Sequence, residues 1–482
     1  MHIILIFLIY FILQSPAFAD DSTIWDYPRE DFLQSALTDD NSFLSKKRHE
    51  KIDEELEKNL KVKLVPINLE ECLKIAVANN YTIKQKKATE RENLWNKYNA
   101  YSKFLPNVSY GYTIQWLSGT YLVGGIVADN VHEIPKTSNF NVDWNLFERG
   151  RAFFDTAQKR NSHKQSVALY KFSRDEIILK TAISYYELLK NKIRLDVYTT
   201  NLADRKAQYD LTTARYNVGV GTRFDIYRAE AELAKANQEY ITAFNSIRIS
   251  QAKLANYMGI DVAVPLYPKT NTISQKKLSE IDVDKLISLS KQSRFDLIAE
   301  RKKIEAMKAE RSAIYTEFIP DVNLSYRHAR NGTQRLGMYP SNTCAINITA
   351  PLGENIIAGS LTKIKAANYK IDAEKYNLIQ MSRNIEEAII TSKQNSESAN
   401  ERIASSKKEV YSSAKSLENA IVLMNVGTST FIDVIQAQSL KVNAEVGLIE
   451  NITDYNIAQV QLLFDSGIIS VDNVLNGVQF TP

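Results

Sequence analysis

Two stretches of the chain contain neither glycine nor proline: Ala152 to Val218 and Ser360 to Val426, each 67 residues long. The first ends in Asn217-Val218-Gly219 and the second in Asn425-Val426-Gly427. As helices rising about 1.5 Å per residue, each would reach roughly 100 Å, about three times the thickness of a bilayer core. A helix of that length cannot hide in a compact domain and has to pack along other long helices. The first run carries Ile178, Ala182, Tyr185 and Leu189 at helical spacing, with Lys180, Glu187 and Lys190 on other faces. A plain coiled coil would read the same way, so the segments that flank each run decide.

Before the first run, Ile67 to Leu105 lacks glycine and proline and reads as a helix of moderate length, stopped by Phe104-Leu105-Pro106. A period-2 strand follows, with Val108, Tyr110, Tyr112, Ile114 and Trp116 on one face. A glycine-containing loop (Gly119, Gly124, Gly125) leads to a second strand, Phe140, Val142, Trp144 and Leu146 alternating with Asn141, Asp143 and Asn145. After the run, Thr222 to Met258 is a second moderate helix. The same order then recurs. Asp282 to Ile319 aligns with Asn68 to Leu105 at an offset of 214, and Phe318-Ile319-Pro320-Asp321-Val322 repeats Phe104-Leu105-Pro106-Asn107-Val108. Strands around Val322, Leu324 and Tyr326 and around Ile346, Ile348, Ala350 and Leu352 precede the second long run, and Thr428 to Ser466 closes it. The unit is helix, strand, strand, long helix, turn, helix, duplicated rather than a short-period solenoid.

The predicted organisation is a signal peptide at 1–19, a polar arm at 20–65, a first repeat at 66–258, a connector at 259–280, a second repeat at 281–469 and a tail at 470–482. Ile3 to Leu13 is apolar but too short to span a bilayer, and Ala17-Phe18-Ala19 supplies the small-x-small cleavage pattern, although only His2 stands where Lys or Arg is usual. An exported chain with no helical membrane span is the expectation. In the arm, Trp25, Tyr27, Phe32 and Leu33 form a small apolar cluster expected to fold against the outside of the helices.

The net charge of +4 is a mixture of both signs and argues against a nucleic-acid partner. Cys72 and Cys344 form no disulfide framework and no metal spacing, and both read as inert fillers. The five histidines are scattered with no HExxH, and Gly219-Val220-Gly221 follows a helix rather than a strand, so it is no dinucleotide loop. There is no Walker sequence. No catalytic residue, cofactor or metal site is expected, and the chain reads as a non-enzyme.

Four strands of nine or ten residues with apolar-out, polar-in alternation and Tyr110, Tyr112, Trp116 and Trp144 as interfacial aromatics suit a membrane barrel. Four strands cannot close one, and an open edge in lipid is forbidden. Two chains would give eight strands and three would give twelve. The rival is a small soluble sheet capping a coiled coil. Two moderate helices end to end match one long run, so stacked pairs beside continuous helices would make a cylinder, and a barrel continued by a cylinder is a conduit.

This architecture resembles the TolC-like outer-membrane efflux proteins from about Ile67 to Ile469. The motifs that carry the resemblance are Arg215-Tyr216-Asn217-Val218-Gly219 with Asp225-Ile226-Tyr227-Arg228-Ala229-Glu230, and Met424-Asn425-Val426-Gly427 with Asp433-Val434-Ile435-Gln436-Ala437-Gln438. It implies a mainly helical protein with membrane strands: long antiparallel helices forming a periplasmic tunnel, and four strands per chain in a shared twelve-stranded barrel of a homotrimer in outer-membrane lipid. It also implies an exit duct for efflux or type I secretion, docked to a periplasmic adaptor and an inner-membrane pump or ABC transporter. The adaptor-binding tip would be Asn217, Val218, Gly219 and Val220 with Asn425, Val426, Gly427 and Thr428. The gate would be Asp433, on an acidic ring, and Asp225, at a linkage position. Three carboxylates around a narrow pore would raise one another's pKa and favour cations. Met424, Ser429 and Gln436 depart from the family pattern, standing where the best-known members have tyrosine, arginine and a second aspartate. Without that arginine the gate would rest on packing and neutral hydrogen bonds, with weaker cation binding. The plainer reading of Asp225 and Asp433 is a helix N-terminal charge favoured by the dipole. The rival for the whole chain is a structural or adhesive surface protein built on a long coiled coil.

Overall fold

The computed structural model describes residues 64–123, 126–270, 274–277, 282–333, 337–350 and 354–477. The expected signal peptide and the Trp25 to Leu33 cluster lie outside the described residues. Of the first of two units, Met1–Ile67, the described part holds one short strand, β1 (Val65–Ile67). The second unit is Asn68–Pro482.

The moderate helix at the head of each repeat is two helices, not one. In the first repeat α1 (Leu69–Asn79) and α2 (Tyr81–Ser102) meet at Asn80, whose backbone leaves the helical region. The Asn80 amide oxygen accepts from the N–H groups of Thr82 and Ile83, and its Nδ2 donates to the carbonyl of Tyr257 at 2.8 Å. A side-chain cap thus restarts the helix without glycine or proline. In the second repeat α5 (Val283–Ser293) and α6 (Phe295–Tyr315) meet at Arg294, 214 residues on, which is again extended. There the guanidinium grips Asp296 through Nε and Nη2 and donates from Nη1 to the carbonyl of Asp465 at 3.1 Å.

The strands are β2 (Asn107–Ile114), β3 (Leu117–Val123), β4 (Ile126–Glu133), β5 (Lys136–Phe147), β7 (Asp321–Gly332) and β8 (Tyr339–Thr349), with a three-residue β6 (Leu266–Pro268) between the repeats. The stretch expected to be a loop around Gly119 is instead the hairpin β3–β4. It is a two-stranded sheet separate from the main one. The main sheet has the order β2-β5-β7-β8, all antiparallel, with β2 and β8 at its edges. In the half nearest the helices its register puts like with like. Val108 lies opposite Val142, Tyr110 opposite Phe140, Trp144 opposite Leu324, and Leu324 opposite Ile346. Since directly opposed residues share a face, that face is apolar towards the helices, while its far end carries Ser138, His328, Arg330 and Asn342. The other face carries Ser109, Asn139, Asn141, Asn145, Asn323 and Arg327, joined by bonds such as Arg327 Nη2 to Asn139 Oδ1 at 3.1 Å and Asn323 Nδ2 to Asn145 Oδ1 at 2.6 Å. Within one chain β2 is exposed along its whole length.

Two long hairpins follow the strands. The first pairs α3 (Arg151–Asn217) with α4 (Arg223–Met258), and the second pairs α7 (Glu354–Val426) with α8 (Phe431–Asp465). At 73 residues α7 begins six residues before the expected Ser360, because the helix runs through Gly359. One interior glycine costs a helix only about 1 kcal/mol, which neighbouring contacts offset. A short α9 (Val471–Asn476) ends the described chain. Ile178, Ala182, Tyr185 and Leu189 are buried, as their spacing predicts, and the first two join Leu73 of α1, Leu463 of α8 and Val474 of α9 in one core cluster. A second cluster ties Leu286 and Leu297 to Ile389 and Leu462. Cys72 is buried, and burial pushes its thiol far above the usual range, so it stays protonated. Cys344 is exposed.

The duplication persists at contact level. Lys103 Nζ meets Asp155 Oδ2 at 2.8 Å beside the first strand pair. At the corresponding place Glu317 meets Lys363 at 3.2 Å, the same bridge with its charges exchanged.

Candidate functional site: the hairpin tips

Both long helices end in one hydrogen-bond scheme. At the first tip the Gly219 N–H reaches the Tyr216 carbonyl and the Val220 N–H reaches the Arg215 carbonyl, both at 2.9 Å. At the second, Gly427 reaches Met424 at 3.1 Å and Thr428 reaches Leu423 at 3.0 Å. These are Schellman closures, and they need a left-handed residue, supplied by Gly219 at φ 79° and Gly427 at φ 83°. Each returning helix then opens on a capping box. Thr222 and Thr430 are the N-caps, and Asp225 and Asp433 reach back to them from the third helical position.

The two aspartates are therefore occupied inside their own turns. Asp225 Oδ2 accepts from Thr222 Oγ1 at 2.6 Å and from its N–H at 3.3 Å. Asp433 Oδ2 accepts from Thr430 Oγ1 at 2.7 Å, the Thr430 N–H at 2.8 Å and Ser429 Oγ at 2.9 Å. At Asp433 these bonds favour the ionised form. The Thr430 hydroxyl first, then the Thr430 amide and the Ser429 hydroxyl, hold the exposed Asp433 carboxyl below the usual carboxylate range. Within one chain the sign is thus opposite to the mutual repulsion expected of a three-carboxylate ring. Among the described residues neither aspartate bridges to the other hairpin. Ser429 takes a definite place as the third donor to Asp433. Met424 is half-buried, while Gln436 is exposed and makes no side-chain hydrogen bond with another described residue.

Among the expected tip residues, Val218, Val220 and Val426 are 74%, 80% and 73% exposed. Asn217 is exposed as well, and Thr428 is exposed with its hydroxyl on the Leu423 carbonyl. The side chain of Asn425 lies outside the described residues. Phe224, Tyr227, Val422 and Leu423 add exposed apolar surface that the motif reading did not single out. The tips differ in one respect. Arg223 Nε donates to the Tyr216 hydroxyl at 3.0 Å, whereas the corresponding residues of the second tip are Phe431 and Met424.

A polar connection between the hairpins lies further up, centred on Arg205, to which the sequence motifs do not point. Arg205 of α3, only 3% exposed, donates from Nη2 to the Ile435 carbonyl at 3.3 Å and to Ser439 Oγ at 2.9 Å, both on α8. The same nitrogen is 3.7 Å from Glu232 of α4. Gln208 and Asn201 of α3 both bond the buried Gln438 of α8. Burial lowers the Arg205 pKa, countered chiefly by Glu232, yet a guanidinium stays charged throughout. A buried, charged, multiply bonded side chain between two helices is costly to leave unpaired, so this cluster fixes the spacing of α3 and α8.

No group of side chains among the described residues could hold a metal ion. No helix among them is long and apolar enough to cross a membrane, which says nothing of a β-barrel.

Against known proteins, the sequence matches the family model described as outer membrane efflux protein over residues 73–260 and 286–467. It is 22% identical over 368 residues to the outer membrane protein TolC of Vibrio cholerae, covering 74% of this chain and 83% of that one. In structure it is similar to the outer-membrane channel OprN, with a TM-score of 0.72 at 17% identity over 91% of this chain and 95% of that one. It is also similar to the CmeC outer membrane channel of Campylobacter jejuni, with a TM-score of 0.74 at 15% identity over 89% of each chain. The chain belongs to the outer membrane efflux protein family. It is a transport protein of the outer membrane, an exit duct for efflux or secretion whose helical part stands in the periplasm. Its relatives are channel proteins, and the reading as an adhesive coiled-coil surface protein falls.

Proposed function

We propose that the chain works as a homotrimer: three four-stranded sheets close a twelve-stranded barrel, and the helical hairpins form a tunnel gated at the tips described above. The observation that carries this reading is the main sheet. It has an apolar band on one face and open edges at β2 and β8, a combination that lipid does not tolerate until the edges meet other strands. The repeats, 66–258 and 281–469, then form two structurally similar walls per chain joined by the connector 259–280.

In this reading the exposed Val218, Val220, Val426 and Thr428, with Asn217, Asn425 and the glycines between them, receive the helical hairpin of a periplasmic adaptor, which links the duct to an inner-membrane pump or ABC transporter. The turns close their own hydrogen bonds, so a partner can meet their apolar side chains without competing for backbone groups. Asp433 supplies an entrance carboxylate, with Gln436 one turn further along α8, and Asp225 sits at the matching place on α4. Opening parts α3 from α8, and the Arg205–Gln438 cluster opposes it.

The test is single-channel recording of the purified trimer in a planar bilayer, wild type beside Asp433→Ala. A cation-preferring current that loses its preference in the variant supports the pore and its entrance ring. An unchanged preference removes Asp433 from the ring. Absence of current from an assembled trimer, even after loosening the Arg205 cluster, overturns the duct.

A further inference from the structure

Helix α2 is covered on one side only. It packs on α3 of its own repeat, and among the described residues no second long helix runs along it. Its counterpart α6 is covered on both sides, lying between α7 of its own repeat and α3 of the other. Trp95 and Tyr98 of α2 are 56% and 51% exposed, whereas their counterparts Ala309 and Ser312 are half-buried. A second unpartnered surface lies on α7, where Leu361, Tyr369, Tyr376 and Ile379 are exposed on one face, with Tyr369 and Tyr376 at 76% and 72%.

The internal duplication says what fills the gap. Helix α2 leads into β2 and α7 follows β8, the two open edges of the sheet. Joining sheets edge to edge sets α2 of one copy beside α7 of the next, as α6 lies beside α3 within a copy. The intramolecular seam also supplies the register. Gln158 Nε2 of α3 meets Glu310 Oε2 of α6 at 3.5 Å, and Lys171 Nζ stands 5.2 Å from the Phe295 ring centroid. Shifting α6 back by the 214-residue offset gives Asn96 and Tyr81, and shifting α3 forward by the 208 residues that separate Gly219 from Gly427 gives Ala366 and Ile379.

We propose that α2 of one copy packs antiparallel along α7 of a second copy, with Asn96 level with Ala366 and Tyr81 level with Ile379, and with Trp95 and Tyr98 buried against the apolar face of α7. The seam between copies thus carries Trp95 and Tyr98 at the two positions where the repeat within a copy has Ala309 and Ser312. A buried aromatic side chain removes 150–250 Å² or so from water and is enriched at interfaces. The proposal rests on the assembly of identical chains argued above and adds to it which helices meet, in which register and through which side chains.

The test uses the full chain in detergent with Cys344→Ser, leaving only the buried Cys72. Asn96→Cys is combined with Ala366→Cys and treated with a short bis-maleimide. Dimers and trimers on a denaturing gel are the expected result. Asn96→Cys with Ile379→Cys, displaced by thirteen residues or roughly 20 Å along α7, should stay monomeric on that gel. Trp95→Ala with Tyr98→Ala should lower the heat-resistant oligomer at least tenfold without loss of helical circular dichroism. Light scattering separates the failures. A trimer that does not cross-link in register, or cross-links equally out of register, overturns the seam and leaves the trimer. A monomer overturns the assembly and the seam together.

Discussion

Replacing Arg205 with alanine should bias the duct towards its open state by about two orders of magnitude. The guanidinium is buried and donates two hydrogen bonds across the α3–α8 contact, to the Ile435 carbonyl and to Ser439 Oγ. Hydrogen bonds to charged groups contribute about 1.5–3 kcal/mol each. Water reaching the space left behind offsets part of that, so a net loss of about 3 kcal/mol is reasonable for the pair. In the proposed gating both bonds run between the elements that separate, so the loss would fall on the closed state. At about 1.4 kcal/mol per factor of ten, the open-to-closed ratio should rise roughly 100-fold. Arg205→Lys keeps the charge but not the fork and should fall in between. The assay is open probability in single-channel records of trimers whose assembly has been checked by light scattering. If Arg205→Ala trimers open no more than threefold more often than wild type, the cluster does not hold the tunnel closed.

Burial raises the Asp175 pKa to about 6, opposed chiefly by Arg174, so the folded chain holds a proton there that the unfolded chain has released. Its contribution to stability therefore falls as pH rises from about 4 to about 6. Asp175→Asn should be more stable than wild type by roughly 1–3 kcal/mol at pH 7.5 and by much less at pH 4. Equal differences in denaturant unfolding at the two pH values would refute this. Gly427 and Gly259 share a left-handed backbone, yet a Cβ at Gly427 meets nothing within 4 Å while one at Gly259 would stand 2.6 Å from the Asn79 carbonyl. Gly427→Ala should therefore cost only the backbone term of about 1–2 kcal/mol, and Gly259→Ala clearly more. Similar melting shifts for the two would contradict the close approach. The exposed Lys103–Asp155 bridge should contribute less than about 1 kcal/mol, so Lys103→Ala should leave the melting temperature nearly unchanged, and a large drop would mean the pair does more than its exposure implies.

The long helices, the paired strands and the in-phase turns were legible because each rests on a local rule. A glycine in the left-handed region ends a helix, and alternation sets the faces of a strand. What escaped has equally physical causes. The helix breaks at Asn80 and Arg294 use a side-chain cap and an extended arginine instead of glycine or proline, so composition alone runs straight through them. The β3–β4 hairpin was masked by its glycines, although apolar residues on either side of Gly124-Gly125 are a hairpin signal. At the site, motif position drew attention to Asp225 and Asp433, and the structure gives both to their own helix caps. Arg205 and Gln208 carry no sequence signal, because a polar residue on a long helix reads as solvated until the facing helix is known, and Gln438 stands in the second motif without a role of its own.

The Arg294 grip has a mechanical side. It holds the far end of α8, where Asp465 also accepts from Ser392 at 2.7 Å, and 35 helical residues separate that point from the tip turn. At about 1.5 Å per residue α8 is a lever arm of roughly 50 Å. A swing of about 6° around the grip carries the turn sideways by about 5 Å. In the proposed trimer, three such levers bearing on one aperture would widen it by about 10 Å. The leverage lets an angular change too small to disturb the packing around Leu462 and Ile389 become a large change at the mouth.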